Sequence, residues 1–112
     1  GWNLELLELM SCGKNVIATN YSAHTAFCNK DNCKLVDITS TESAYDGKWF
    51  FGSGSWAKIE ETQMDEFVDI MRSIHNDKQN GNLPINQTGI KTSEEFTWSN
   101  SARKIIQYVQ LF

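Results

Sequence analysis

The chain has 112 residues, of which 40% are hydrophobic, so it carries enough apolar side chains for one compact core and not for two. Its net charge of -4 and isoelectric point near 5.0 exclude the basic stripe that nucleic-acid-binding domains use, so no nucleic-acid partner is expected. No apolar run approaches the roughly 20 residues that cross a bilayer, and no basic region precedes an apolar stretch at the start. These features predict a cytoplasmic domain and leave open a position at the cytoplasmic membrane face.

The first half of the chain predicts an α/β fold. Leucine and methionine dominate residues 4–12, which predict a short, mostly buried helix that ends at Gly13. The short apolar runs 16–19 and 34–38 predict strands of a parallel sheet that is covered on both faces. Residues 22–27 between them predict a short helix with the serine at its start as the cap. Elements in this order form a βαβ unit.

The second half predicts two further helices after one irregular segment. Residues 39–58 show no regular period, and their aromatic side chains favour a long ordered loop over a disordered one. Helical spacing over residues 62–80 begins at a capping threonine and ends before a glycine. An irregular turn and a short helix are expected within 82–96, and Thr97 is expected to cap a last helix. The apolar stripe of that helix is expected to be buried either on this domain or on a missing one. The stripe consists of Trp98, Ala102, Ile105, Val109 and Phe112.

The start of the chain has features of an anion-binding site. Gly1 leads into the first predicted helix, whose free amides and positive dipole end attract phosphate or carboxylate groups. Glu8 lies farther along the same helix among apolar residues, where an unpaired carboxylate needs hydrogen-bond donors. Sugar or ribose hydroxyls would be such donors. The alternative is a surface carboxylate on the same side of the helix as Glu5, which is itself expected to be solvated.

Residues 1–19 resemble the signature of the group 1 family of retaining glycosyltransferases, which have the GT-B fold. In that signature, two glutamates separated by seven residues precede a small-residue turn and Pro-Val-Ile. Glu8 matches the second glutamate, and the first would stand one position before Gly1. The likeness continues through residues 19–25, 46–49, 55–57 and 96–98. The sequence departs from the pattern at three places, where Asn15 replaces proline, Ser22-Ala23 replaces a frequent Gly-Gly and Ala26 replaces a frequent glutamate.

The resemblance implies that all 112 residues form a single partial domain, the C-terminal part of a Rossmann-like domain that binds a nucleotide sugar. The N-terminal acceptor domain is then absent from this chain. By the same resemblance, backbone amides of the first turn contact the donor diphosphate or sugar, Glu8 binds the ribose, and no residue here is catalytic. The residues of that turn are Gly1, Trp2, Asn3 and Leu4. The implied reaction transfers a sugar from a nucleoside-diphosphate sugar to an unidentified acceptor with retention, without a metal or another cofactor.

Two other functions remain open at this stage. One is a non-catalytic nucleotide-binding or regulatory module that acts through a partner chain. The other is a different GT-B-shaped enzyme, such as a nucleotide-sugar epimerase, because a fold does not fix a reaction. If no partner covers the apolar stripe of the last helix, self-association is expected.

Three further groups of residues are assigned structural roles. The cysteines are expected to be reduced thiols, and Cys28 and Cys33 with His24 are not expected to bind zinc, because a structural zinc site needs four ligands. His24 follows a strand end where α/β sheets bind ligands, although a loop histidine is more often structural. The aromatic cluster is expected to pack as a local core rather than to stack on a sugar. It consists of Trp49, Phe50, Phe51 and Trp56.

Overall fold

A computed structural model describes residues 1–112 and confirms a mixed α/β organisation with a short parallel sheet. The elements in chain order are α1 (Leu4–Ser11), β1 (Ile17–Asn20), a 3₁₀ helix (Ala23–Ala26), β2 (Lys34–Asp37), β3 (Thr41–Tyr45), β4 (Phe51–Ala57), α2 (Glu61–Gln79), α3 (Gln87–Glu95) and α4 (Trp98–Gln110). Strands β1 and β2 pair in parallel, with Ile17 opposite Lys34, whereas β3 and β4 form a separate antiparallel pair. None of the helices is both long and apolar enough to cross a membrane.

The main hydrophobic core lies between α1, β1 and the loop that leads into β2. Helix α1 contributes Leu6, Leu7 and Met10. Met10 follows the two leucines by four and three residues, which places all three on one side of the helix, and it is completely buried. The other side of α1 is exposed, so the prediction of a mostly buried helix is wrong. Gly13 ends the helix as predicted, with a φ of 69° that favours glycine. The remaining core residues are Val16, Ala18, Phe27, Cys28 and Cys33.

Helix α3 is fastened to this core by one side chain. The Asn86 Oδ1 atom caps α3 by accepting a hydrogen bond from Gly89 N at 2.9 Å. Its Nδ2 atom donates to Lys14 O at 3.1 Å and to Asn32 O at 2.8 Å. Because Lys14 precedes β1 and Asn32 precedes β2, Asn86 joins α3 to the entrances of both parallel strands.

Residues 39–58 contain a β-hairpin, so the prediction of a long irregular loop is wrong. Strands β3 and β4 are antiparallel, with Thr41 opposite Ala57. Gly52 and Gly54 interrupt β4 with φ values of 94° and 88°. Nearly every side chain of the two strands is exposed. An alternation of apolar and polar residues arises only where one face is buried, and this hairpin lacks it for that reason.

The turn of the hairpin is organised by Asp46. Its Oδ1 atom accepts hydrogen bonds from the backbone N–H groups of Lys48, Trp49 and Phe50 at 2.8, 2.8 and 2.9 Å. These donors stabilise the carboxylate and lower the pKa of Asp46 below its usual range. The turn therefore depends on one ionised side chain.

Helix α2 is confirmed over nearly its predicted length, but Thr62 does not cap it. The Gln63 Oε1 atom accepts a hydrogen bond from Glu60 N at 3.2 Å, so the helix begins two residues earlier, after Glu60. The Gln63 Nε2 atom also donates to Thr39 Oγ1 at 3.2 Å, which ties the start of α2 to the segment after β2. This second contact explains why a glutamine is buried here.

Thr97 caps α4 as predicted, because its Oγ1 atom accepts a hydrogen bond from Asn100 N at 3.2 Å. The α4 stripe is not buried on this domain, so the first of the two expected burial sites is wrong, and burial on the missing domain stays a prediction. All five stripe residues are exposed, and Trp98 is 92% exposed. The self-association expected from such a surface stays a prediction.

Candidate functional site

A cleft of about 680 Å³ opens beside the carboxyl end of β1. Three segments line it: the turn that leads into α1, the segment after β1, and the β3–β4 hairpin. Open α/β sheets bind ligands outside the carboxyl ends of their strands, and small-molecule sites have about this volume. The cleft is therefore the candidate functional site.

The α1 side of the cleft is formed by Gly1, Asn3 and Glu5. Asn3 is the N-cap, in a left-handed conformation with φ 65° and ψ 62°, and its Oδ1 atom accepts from Leu6 N at 3.3 Å. The amides of Leu4 and Glu5 in the first turn have no acceptor within the helix. This wall therefore carries backbone donors and one carboxylate. Glu5 is exposed, as expected from the sequence, and its place in the first turn brings it to the cleft.

The floor of the cleft includes a strained residue, Ser22. Its φ of 73° and ψ of -154° belong to a region that only glycine adopts readily, at a cost of about 1–3 kcal/mol for other residues. Asn3 and Ser22 are the two non-glycine residues with positive φ, and both line the cleft. The predicted capping role of Ser22 is wrong, because its side chain makes no cap hydrogen bond. Such strain concentrates at functional sites.

Two polar side chains after β1 are fixed in this floor. The His24 Nε2 atom lies 2.6 Å from Thr19 O. A carbonyl oxygen only accepts, so Nε2 carries a hydrogen and donates it to Thr19 O. The Tyr21 hydroxyl donates to Ser55 O at 3.1 Å and thereby joins the end of β1 to β4. Tyr21 was not singled out from the sequence, which gave no sign of this contact.

The hairpin side of the cleft is aromatic. Phe50 and Trp56 line the cleft and pack edge to face, with ring centroids 5.7 Å apart and an interplanar angle of 69°. The Trp56 Nε1 atom donates to Glu42 Oε1 at 3.1 Å. Trp49 is 76% exposed and lies outside the cleft. The prediction that the aromatic cluster packs as a local core is therefore wrong, because the hairpin has no second layer to cover it.

Only two of the four residues expected to contact a donor lie at the cleft. Gly1 and Asn3 line the cleft, whereas Trp2 and Leu4 do not. The Trp2 ring packs against Phe27, with centroids 5.1 Å apart, and the Leu4 side chain is exposed. Trp2 and Leu4 are thus not brought to the cleft, and the donor contact that the resemblance implies for all four residues stays a prediction.

Glu8 lies one turn beyond Glu5 along α1 and outside the cleft. Its side chain is exposed and makes no hydrogen bond or ion pair within the chain. The argument that Glu8 requires ligand hydroxyls to offset desolvation is therefore wrong. Its ribose-binding role stays a prediction that rests on the resemblance.

The cleft has little positive charge. The residues that line it include no lysine or arginine, and Glu5 is the one carboxylate among them. Backbone amides and the dipole of α1 are thus the positive groups that this chain supplies at the site.

The cysteines lie away from the cleft. Cys28 and Cys33 are buried in the core, whereas Cys12 is exposed. Burial raises the pKa of Cys28, and burial together with the neighbouring Cys28 thiol raises the pKa of Cys33 to about 12. Both buried thiols are protonated at neutral pH and are poor nucleophiles. No three His, Cys, Asp or Glu side chains come together as a group that could hold a metal ion.

No family model, curated protein or solved structure matches this chain.

Proposed function

We propose that the chain is the donor-binding part of a retaining, nucleotide-sugar-dependent glycosyltransferase of the GT-B type. One observation carries the proposal: four residues of the 1–19 segment, namely Gly1, Asn3, Glu5 and Thr19, line a cleft at the carboxyl end of a parallel strand, with the start of α1 on one side. Glu8, the matched glutamate, lies one turn farther along α1 and outside the cleft. A helix N-terminus at such a place suits a diphosphate, because free amides and the helix dipole both face the anion.

In the proposed complex, the amides of the 1–4 turn contact the diphosphate. Glu8 accepts hydrogen bonds from the ribose hydroxyls, for which its carboxylate is free because it has no partner in the chain. The conformation of Ser22 supports this assignment, since the family that the signature resembles often has glycine there and φ at this position is positive. Serine at position 22 thus adopts the backbone conformation that glycine favours, and it does so with conformational strain.

The charge of the cleft favours a second candidate function. Departure of a nucleoside diphosphate is helped by cationic groups on its phosphates, and no lysine or arginine lines this cleft. In the proposed enzyme those groups belong to the acceptor side of the GT-B cleft. In the alternative, they are absent and the chain is a non-catalytic nucleotide-binding module.

The test is calorimetric titration of the complete gene product with a panel of nucleoside diphosphates, followed by incubation with the matching nucleotide sugars. Binding and release of the diphosphate would support the transferase and identify its donor. Binding without turnover across candidate acceptors would favour the non-catalytic module. No binding across the panel would refute a donor site.

Two matched variants test the assignment within α1. Glu8→Gln is expected to weaken binding of the nucleoside diphosphate by about 1.5–3 kcal/mol, because a charged hydrogen bond to ribose is lost. Glu5→Gln is expected to leave the affinity for the bare diphosphate nearly unchanged. Both side chains are exposed and make no internal hydrogen bond, so neither change is expected to alter folding. Equal affinities of Glu8→Gln and the unaltered protein would remove the ribose assignment.

A further inference from the structure

The hairpin supplies an aromatic wall that the donor-binding signature does not include. Phe50 and Trp56 line the cleft from β4 and its preceding turn, while Gly1, Asn3 and Glu5 line it from the α1 side. Half of the Phe50 surface is exposed, and Trp56 is partly exposed. Large apolar rings left accessible beside polar groups are typical of small-molecule sites.

The wall is held in position before any ligand arrives. The indole N–H of Trp56 is bound by the Glu42 carboxylate, and the Phe50 ring packs against the indole edge to face. The Tyr21 hydroxyl fastens β4 to the end of β1 through Ser55 O. Three contacts therefore set the position of the Trp56 ring, and little ordering remains to oppose binding.

The order of the groups along the site indicates which part of a donor meets the wall. This step rests on the proposed function, in which Glu8 holds the ribose and the 1–4 turn holds the diphosphate. Glu8 lies outside the cleft, whereas Gly1, Asn3 and Glu5, one turn before it, line the cleft. A nucleotide sugar bound in that order extends its sugar into the cleft, where Glu5 and the aromatic wall are found.

We infer that Trp56, supported by Phe50, stacks on the sugar ring of the donor and that Glu5 accepts hydrogen bonds from its hydroxyls. A pyranose has an apolar face of C–H groups and a rim of hydroxyls, which match a ring face and a carboxylate respectively. Trp56 is thus a specificity-determining residue for a hexose, and Tyr21 is a positioning residue that acts through β4.

The test compares a nucleoside diphosphate with its hexose ester in the complete gene product, using the nucleotide that binds best in the panel. Trp56→Ala is expected to weaken the hexose ester about 3- to 10-fold and to leave the bare diphosphate within about twofold, as expected for one lost aromatic contact. Trp49→Ala is the matched control, because Trp49 belongs to the same hairpin but lies outside the cleft. It is expected to change neither affinity.

A second measurement tests the contact between Trp56 and the sugar without replacing the aromatic ring by alanine. The indole N–H signal of Trp56 in a nuclear magnetic resonance spectrum, assigned with Trp56→Phe, is expected to shift with the hexose ester and hardly at all with the bare diphosphate. Trp56→Phe is expected to retain most of the affinity, since it keeps an aromatic face and loses only the bond to Glu42.

Three results would overturn the inference, and they differ from one another. Unchanged affinity of Trp56→Ala for a hexose ester that binds the unaltered protein would remove the wall from the site while leaving the proposed function intact. Equal losses for ester and diphosphate would show that the wall serves the base or the scaffold. Failure of the unaltered protein to bind any nucleotide would overturn the proposed function and this inference with it.

Discussion

Replacing Ser22 with glycine is expected to stabilise the folded protein, although glycine usually destabilises. The φ and ψ of Ser22, 73° and -154°, hold about 1–3 kcal/mol of strain that glycine does not have. Glycine makes the unfolded chain more flexible, which costs about 0.5–1 kcal/mol. The Ser22 side chain makes no hydrogen bond that the change would remove. The expected net gain is about 0.5–2 kcal/mol.

Urea unfolding, followed by circular dichroism, measures this gain. With a slope of about 1–3 kcal/mol per molar urea, the midpoint of Ser22→Gly is expected to rise by about 0.2–2 M. Ala23→Gly is the matched control, because Ala23 has no positive φ and gains nothing from glycine. Its midpoint is expected to fall. A midpoint for Ser22→Gly that is equal to or below that of the unaltered protein would refute the strain argument.

Three further expectations follow from single side chains. A thiol reagent at pH 8 is expected to label only Cys12 in the folded chain, and rapid labelling of the two buried thiols would contradict their place in the core. The hairpin turn needs ionised Asp46, whose pKa is lowered, so the stability that the turn contributes is fully present above the ordinary carboxyl pKa. That stability is expected to be lost as the pH falls through the lowered pKa, which the chemical shifts of the turn amides would report. Amide shifts that already change above about pH 4 would contradict this expectation. Asn86→Ala is expected to cost about 2–4 kcal/mol in urea unfolding, from one cap and two further hydrogen bonds. A cost no larger than that of Asn20→Ala, which removes one exposed hydrogen bond, would contradict it.

Helix ends that depend on residues close together in the chain could be predicted from the sequence. Gly13 ends α1 and Thr97 caps α4 because each acts on backbone groups within a few residues. The start of α2 was misplaced because Gln63 reaches both its own helix start and Thr39, a contact 24 residues away. The hairpin was missed because its strands are exposed and carry glycines, so they lack the alternation of a half-buried strand.

The candidate site could be predicted only where its residues are neighbours in the chain. Gly1 and Asn3 were identified through the signature that also contains Glu8. Trp56 lies more than 50 residues from that turn, and it lines the cleft because the hairpin folds back and is fastened through Tyr21. The spacing of residues along the sequence gives no information about a contact at this distance. The aromatic wall could therefore be found only in the structure.

Because the apolar stripe of α4 is exposed, the helix–coil equilibrium of this segment depends on whether another surface covers the stripe. Its 13 residues receive no support from a core, and isolated helices of about that length are marginal in water. The amides of α4 are therefore expected to exchange with solvent sooner than those of α1, whose apolar side is buried. Any surface that shelters Trp98 and the residues below it draws the segment toward the helical state. Binding of such a surface to the stripe and ordering of the α4 backbone are thus thermodynamically coupled.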